Sequence, residues 1–248
     1  MTEIYMVKNH LLLKSGYGNP EMHSHSASHI IIGLEGEMRV SVNGENAVCR
    51  GALLPSGTKH TVDGFGRPLL VFMFDITSSV SEQITDFKIL KSWETGRIIS
   101  AWRAWEDGKA GADYETFWAE VMAALGISEA GSRVSDERII AAMRFVKDHW
   151  NDDLTVGDAA ESVYLSEGRF SHLFKEETGI AFSGYLVMQK VFYAYLQIAE
   201  GASITEAALA AGFSTPSHFA TVNKRMFGIT ARDLSGDYRL HRIADIWK

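Results

Sequence analysis

Residues Ser203–Gly228 read SITEAALAAGFSTPSHFATVNKRMFG, and this stretch decides the fold of the C-terminal half. Ser203 is a good helix N-cap, and Glu206 three residues on can close a capping box. Ile204, Ala207, Ala208 and Ala211 then recur at helical spacing, giving a narrow apolar face of small side chains that a second helix can approach closely. Gly212 stands where the first helix must stop, a position that often needs positive φ. Ser214 offers a second N-cap, and Pro216 is tolerated in a first turn. Phe219, Val222 and Phe227 continue the apolar side; Thr215, Ser217, His218, Thr221, Lys224 and Arg225 are left for the outer side. Two short helices joined by a tight turn, with a polar and partly basic outer face, suit the major groove of DNA.

The same grammar occurs earlier, in Thr155–Gly179, TVGDAAESVYLSEGRFSHLFKEETG. Val156, Ala159, Ala160 and Val163 match the first apolar face, Tyr164 takes the place of Gly212 and Ser166 that of Ser214, and Phe170, Leu173 and Phe174 form the inner side of the second helix. The first helices are offset by 48 residues and the second by 49, with Lys175–Gly179–Ile180 matching Lys224–Gly228–Ile229. A repeated supersecondary unit is hard to obtain by accident. Phe182–Glu200 between the copies has one glycine, Gly184, and no proline, and reads as a single stiff helix able to hold two reading helices about one DNA turn, roughly 34 Å, apart.

The motifs LSEGRFSHLFKEETGI, SITEAALAAGFSTPSHF and NKRMFGIT make residues from about 137 to 240 resemble the DNA-binding domain of the AraC/XylS family of bacterial transcription regulators. The chain departs from the family pattern at Lys190 (usually Arg), Asn223 (Phe), Ala231 (Pro) and Leu234–Ser235 (Tyr-Arg), positions that bear on packing of the linker helix and the last turn. The resemblance implies a sequence-specific regulator of double-stranded DNA. Its first reading helix would present Arg169, Ser171, His172 and Lys175, and its second Thr215, Ser217, His218, Thr221 and Lys224. Arg169 and His172 are the best candidate base readers, and Lys175 and Lys224 suit phosphates.

With 248 residues the chain is long enough for two domains, and one cysteine, Cys49, excludes an internal disulfide and fits a reducing cytoplasm. No apolar run approaches the ~20 residues that span a bilayer, and the first residues lack the apolar core of a signal peptide; the expected location is cytoplasmic. The net charge of −7 runs against a simple nucleic-acid binder, and residues 135–248 hold 12 Lys+Arg against 15 Asp+Glu. Non-specific binding should therefore be weak and its salt dependence shallow.

Residues 1 to about 78 read as β, with apolar runs at His29–Leu34, Met38–Val42, Ala47–Cys49, Ala52–Leu54 and Leu69–Phe74 between turn signals. Val40 and Val42 before Asn43-Gly44 are a hairpin signal, and short strands at this spacing suggest a small barrel or jelly roll. His23, His25 and His29 share one parity. HSHSASH with Gly36, and GALLPSGTKH with His60, resemble the two cupin motifs, His29 standing at the place of the cupin Glu. That resemblance implies a divalent metal such as zinc held by His23, His25, His29 and His60; the alternative is that these histidines are polar core or turn residues. The barrel interior is the default ligand pocket, with His25, His29, Ile31, His60 and Phe72 as candidate lining.

From Ser81 the pattern turns helical. Ile98, Trp102 and Trp105 share one side, and after GKAGAD, Phe117, Val121 and Leu125 form a second stripe. The four tryptophans Trp93, Trp102, Trp105 and Trp118 either pack this hairpin onto the barrel or form a homodimer interface, which family resemblance favours. The expected organisation is α+β: an N-terminal cupin-like β-barrel (1–80) sensing a small molecule or metal, a helical hairpin (81–127) for dimerisation, a linker (128–135), and an all-α domain with two helix-turn-helix units (136–248). The competing readings are a metal-dependent cupin enzyme with a helical interaction module, and a regulator that acts by protein pairing without DNA.

Overall fold

The computed structural model describes residues 2–7, 10–16, 22–24, 27–74, 77–128, 134–149, 154–227 and 238–242. The chain divides into two compact units, one formed by 1–131 with 237–244 and the other by 132–236 with 245–248.

The first unit is built on strands β1 (Thr2–Val7), β2 (His10–Ser15), β3 (Ser28–Gly33), β4 (Met38–Val42), β5 (Glu45–Cys49), β6 (Gly51–Leu54), β7 (His60–Asp63) and β8 (Leu69–Phe74). Helix α1 (Ser79–Gln83), the two-residue strand β9 (Lys88–Ile89) and helices α2 (Ser92–Glu106) and α3 (Tyr114–Leu125) follow. One sheet has seven strands in the order β10-β1-β2-β8-β3-β6-β9, where β10 is Tyr238–Arg242; the other has three, β5-β4-β7. The hairpin read at Asn43-Gly44 forms, with φ of 51° and 94° at the two turn residues and Val42 opposite Glu45. Two successive positive φ values are what a two-residue hairpin turn requires.

The hairpin α2–α3 covers one face of the large sheet. Ile30, Ile32, Leu70, Phe72 and Phe74 from the sheet form a buried cluster with Ile98, Trp102, Phe117, Trp118 and Val121 from the helices. Trp102 and Trp118 are buried and Trp105 packs against the same cluster, so three of the four tryptophans are committed to this core, whereas Trp93 is 57% exposed. The side-chain period of two sorts the strands: Phe72 stacks with Phe117 at 5.9 Å and lies 5.8 Å from Trp118. Phe72 therefore belongs to the helix-facing core, and its expected place in the ligand lining is corrected. The stretch 84–91, read as helical, instead yields β9, which pairs with β6 (Ala52 opposite Ile89). Residues 238–242, read as part of the helical domain, form β10 and pair in parallel with β1, from Thr2 opposite Tyr238 to Met6 opposite Arg242. His241 stacks on Tyr5 at 4.6 Å across this pairing.

The second unit is helical: α4 (Glu137–Asp148), α5 (Val156–Ser162), α6 (Glu167–Thr178), α7 (Phe182–Ala199), α8 (Ile204–Ala210) and α9 (Pro216–Phe227). Helix α7 is the single connector expected between the repeats. Ile139, Ala142, Ala159, Ala160, Phe170, Phe174, Phe182 and Tyr185 share one core. The small residues Ala207, Ala208 and Ala211 are fully buried, with Phe219 and Val222, as the helical period requires.

Candidate nucleic-acid interface

Each copy of the repeat is set by local hydrogen bonds. Thr155 and Asp158 form a capping box on α5, Ser203 and Glu206 one on α8; each cap side chain takes an N3 amide and each acid takes the cap amide, at 2.7 Å for Thr155 and 2.9 Å for Ser203. Both first helices end alike. The Leu165 amide donates to Ala160 O at 2.9 Å and that of Phe213 to Ala208 O at 3.0 Å; the Tyr164 and Gly212 amides donate to Glu161 O and Leu209 O, both at 3.0 Å. Six-to-one closure of this kind needs a left-handed residue, and Tyr164 (φ 57°) and Gly212 (φ 74°) supply it.

Ser166 caps α6 by accepting from the Arg169 amide at 3.4 Å. On α9 the cap is Thr215, which accepts from the His218 amide at 3.0 Å, not Ser214. The true counterpart of Ser166 is thus 49 residues away, and the extra residue that separates the two offsets sits in the second turn.

All nine candidate DNA-contacting residues, Arg169, Ser171, His172 and Lys175 on α6 and Thr215, Ser217, His218, Thr221 and Lys224 at or on α9, are exposed, while Phe170, Leu173, Phe174, Phe219 and Val222 of the same helices face inward. The 49-residue offset superposes Arg169 on His218, His172 on Thr221 and Lys175 on Lys224. Some outer side chains have partners already: His172 Nδ1 lies 3.7 Å from Glu176, Thr221 donates to Ser217 O at 2.9 Å, and His218 Nδ1 lies 3.2 Å from Ser214 Oγ.

Several acids of this unit are engaged in structural roles. Hydrogen bonds from Thr155 hold Asp158, and those from Ser203 hold Glu206, below the usual carboxylate range. The Asp136 and Ser135 amides do the same for Glu177, and the Arg138 guanidinium brings Asp136 down to about 2. These carboxylates cap or tie helix ends, whereas Glu167 and Glu176 are exposed on α6 itself. The departures from the family pattern also have neighbours. Asn223 is buried and accepts from Tyr195 Oη at 2.8 Å, and Lys190 lies over Gly212, where an added Cβ would stand 3.3 Å from its Nζ. Ala231 and Leu234–Ser235 lie outside the described residues.

In the first unit, His23 and His60 form a two-way backbone bridge (2.9 and 2.8 Å), with ring centroids 4.6 Å apart; His29 lies 5.1 Å from His60. Burial pushes the His60 imidazole down to about 4, although its Nδ1 donates to Thr58 O at 2.8 Å. The fold thus gathers His23, His29 and His60. Among the described residues, no group of three or more His, Cys, Asp or Glu is placed to hold a metal ion, and His25 lies outside them. His29 and Ile31 are buried in β3. The sequence reading missed His10. It is buried against Trp118 (4.4 Å) and Phe74 (5.2 Å), hydrogen-bonded through Nε2 to Tyr114 Oη, and pushed by burial to about 3. No spacing pattern announces it; the only available signal was its parity on β2, opposite Phe74.

Residues 159–236 match the model of a helix-turn-helix domain. The regulatory protein PocR of Salmonella typhimurium is 34% identical over 101 residues, 40% of this chain and 33% of PocR. An uncharacterised HTH-type transcriptional regulator of Staphylococcus aureus is 28% identical over 107 residues, 43% of this chain and 14% of that protein. The chain thus spans a third or less of the length of these relatives. In structure it is similar to ToxT from Vibrio cholerae (TM-score 0.59, 12% identity, covering 92% of this chain and 97% of that one), a likeness of fold. Among the described residues, no helix is long and apolar enough to cross a membrane. Two bihelical repeats joined by one long helix, with the helix-turn-helix match over residues 159–236, give this chain a helix-turn-helix domain of the kind the resemblance to the AraC/XylS family implied, and the chain shares the fold of ToxT.

Proposed function

We propose that the chain is a cytoplasmic, sequence-specific DNA-binding regulator, with α6 and α9 entering successive major grooves and the β unit responding to a small molecule. The observation that carries this reading is the repeat itself: two capped helices whose equivalent outward positions hold Arg169 and His218, His172 and Thr221, Lys175 and Lys224. Arg and Lys can meet guanine edges and phosphates, and hydroxyls can meet either. Control requires that the effector bind two states of the protein unequally. ToxT has been crystallised with an unsaturated fatty acid and with a naphthalenyl butenoic acid, which makes an apolar carboxylic acid the first effector class to try. A homodimer is part of the proposal, supported by the exposed Trp93 on α2; sedimentation of the full chain measures it.

Selection of binding sites from a random duplex pool by the full-length protein tests the reading. The expected result is a motif of two elements about one turn apart, roughly 34 Å, weakened for Arg169→Ala. Unselective retention of DNA would refute it.

A further inference from the structure

A groove of about 400 Å³ opens on the first unit beside β5, β9 and the first turn of α2. Its volume is that of a small-molecule site, and it is separate from the histidine cluster and from His10. Its floor is uncharged. Cys49, Leu90 and Thr95 are buried; burial raises the Cys49 thiol above its ordinary range, so it stays protonated, and the Thr95 hydroxyl is turned onto its own helix, donating to Ser92 O at 3.1 Å. Two aliphatic side chains on its sides stand in water, Val48 58% and Ile89 47% exposed, among the polar Glu37, Arg50 and Ser92. Covering such side chains gains about 25 cal/mol per Å² of apolar surface, so Val48 and Ile89 offer a place for the hydrocarbon part of a ligand.

Two charged residues line the groove, Arg50 and Glu37. Arg50 is held over the turn after β3, with Nε 3.3 Å from Gly33 O and Nη2 3.2 Å from Leu34 O. Those bonds use two of five guanidinium N–H donors, leaving others for an anion. The start of α2 does not compete for that anion, because Glu94 already accepts the Lys91 amide at 2.5 Å and the Lys88 ammonium at 3.0 Å. Glu37 disfavours a second negative charge on the same ligand.

We propose that this groove binds a small monocarboxylate with an apolar body, its carboxylate on Arg50 and its hydrocarbon over Leu90, Val48 and Ile89. The assignment deepens the reading of the β unit as a sensor and rests on it for its regulatory meaning. Trp93, exposed one residue beyond the groove-lining Ser92, is a native reporter. The test titrates the full-length protein with octanoate, octylamine and suberate, following tryptophan fluorescence and heat. Octanoate should saturate, octylamine should give no binding, and suberate should bind more weakly. Arg50→Gln should weaken octanoate roughly tenfold or more, the effect of losing a charge-assisted pair. Val48→Glu, at an exposed position that tolerates the change, should do the same by repulsion. Absence of saturable octanoate binding, or equal binding by both variants and the parent, overturns the assignment. Site selection on DNA is scored separately: Arg50-dependent octanoate binding upholds the groove even if DNA selection fails, and loss of octanoate binding removes the groove even if selection succeeds.

Discussion

The two helix-turn-helix copies share a backbone and differ in what they hang on it. Ala160–Leu165 and Ala208–Phe213 close the same six-residue hydrogen bond, yet the left-handed residue is Tyr164 in one and Gly212 in the other. Tyr164 is 97% exposed, so nothing in its surroundings demands a small residue. Gly212 lies beneath Lys190, where any side chain would crowd the ammonium. The outer faces diverge as well. At the three equivalent outward positions α6 carries Arg169, His172 and Lys175 where α9 carries His218, Thr221 and Lys224, and on α9 the hydroxyls of Thr215 and Thr221 are bonded to their own helix. The difference teaches that the turn geometry is fixed by the chain's need to close hydrogen bonds, while the chemistry of the reading faces is free to specialise. The proposed function assigns charge and base contacts to the α6 copy and positioning to the α9 copy.

The largest expected effect falls on that asymmetry. Arg169→Ala should weaken binding to a selected duplex by about 1–3 kcal/mol and relax specificity at one position, measured by fluorescence anisotropy. His218→Ala should cost clearly less; equal losses would break the proposed division of labour. Next, Gly212→Ala should destabilise by about 1–2 kcal/mol, because a Cβ is disfavoured in the left-handed region, on top of the contact with Lys190. Tyr164→Gly should be neutral or stabilising by about 0.5–1 kcal/mol, the backbone relief being partly offset by glycine's entropy. Urea unfolding measures both, and a destabilised Tyr164→Gly would mean that the exposed ring has work to do in the free protein. Thr155→Ala and Ser203→Ala should each cost about 1 kcal/mol, a matched pair whose inequality would show that the two capping boxes are not equivalent. The smallest effect is on ionic strength: Lys175→Ala and Lys224→Ala should each lower the slope of log affinity against log salt by about 1 if each lysine meets one phosphate.

Much of this was legible locally. The capping box at Ser203, the small-residue faces and the Asn43-Gly44 hairpin depend on neighbours within a few residues, and each formed as read, while the matching box at Thr155 emerged only in the structure. The apolar stripe of α2 also held, because a helix buries one side whatever covers it: Ile98 and Trp102 are buried. The cap of α9 did not follow the reading. Ser214 and Thr215 are both competent caps, and the choice depended on where Pro216 could begin the helix. The candidate site separated along the same line. That Arg169 and Lys175 face water follows from the period of α6, but that Phe72 faces the hairpin and not the barrel depends on which side of the large sheet α2 and α3 occupy.

By itself the sequence determined the repeat, the capped start and glycine stop of α8 and the outward faces of α6 and α9, because hydrogen bonds between residues three to six apart and side-chain periodicity are properties of a short segment. Only the tertiary structure decided that residues 238–242 extend the sheet beside β1, that His10 is sealed against Trp118 and Tyr114, and that Arg50 borders a groove with Val48 and Ile89. Each of these joins residues far apart in the chain, and strand pairing or burial at that distance is settled by which surfaces meet, information that no local pattern of residues carries.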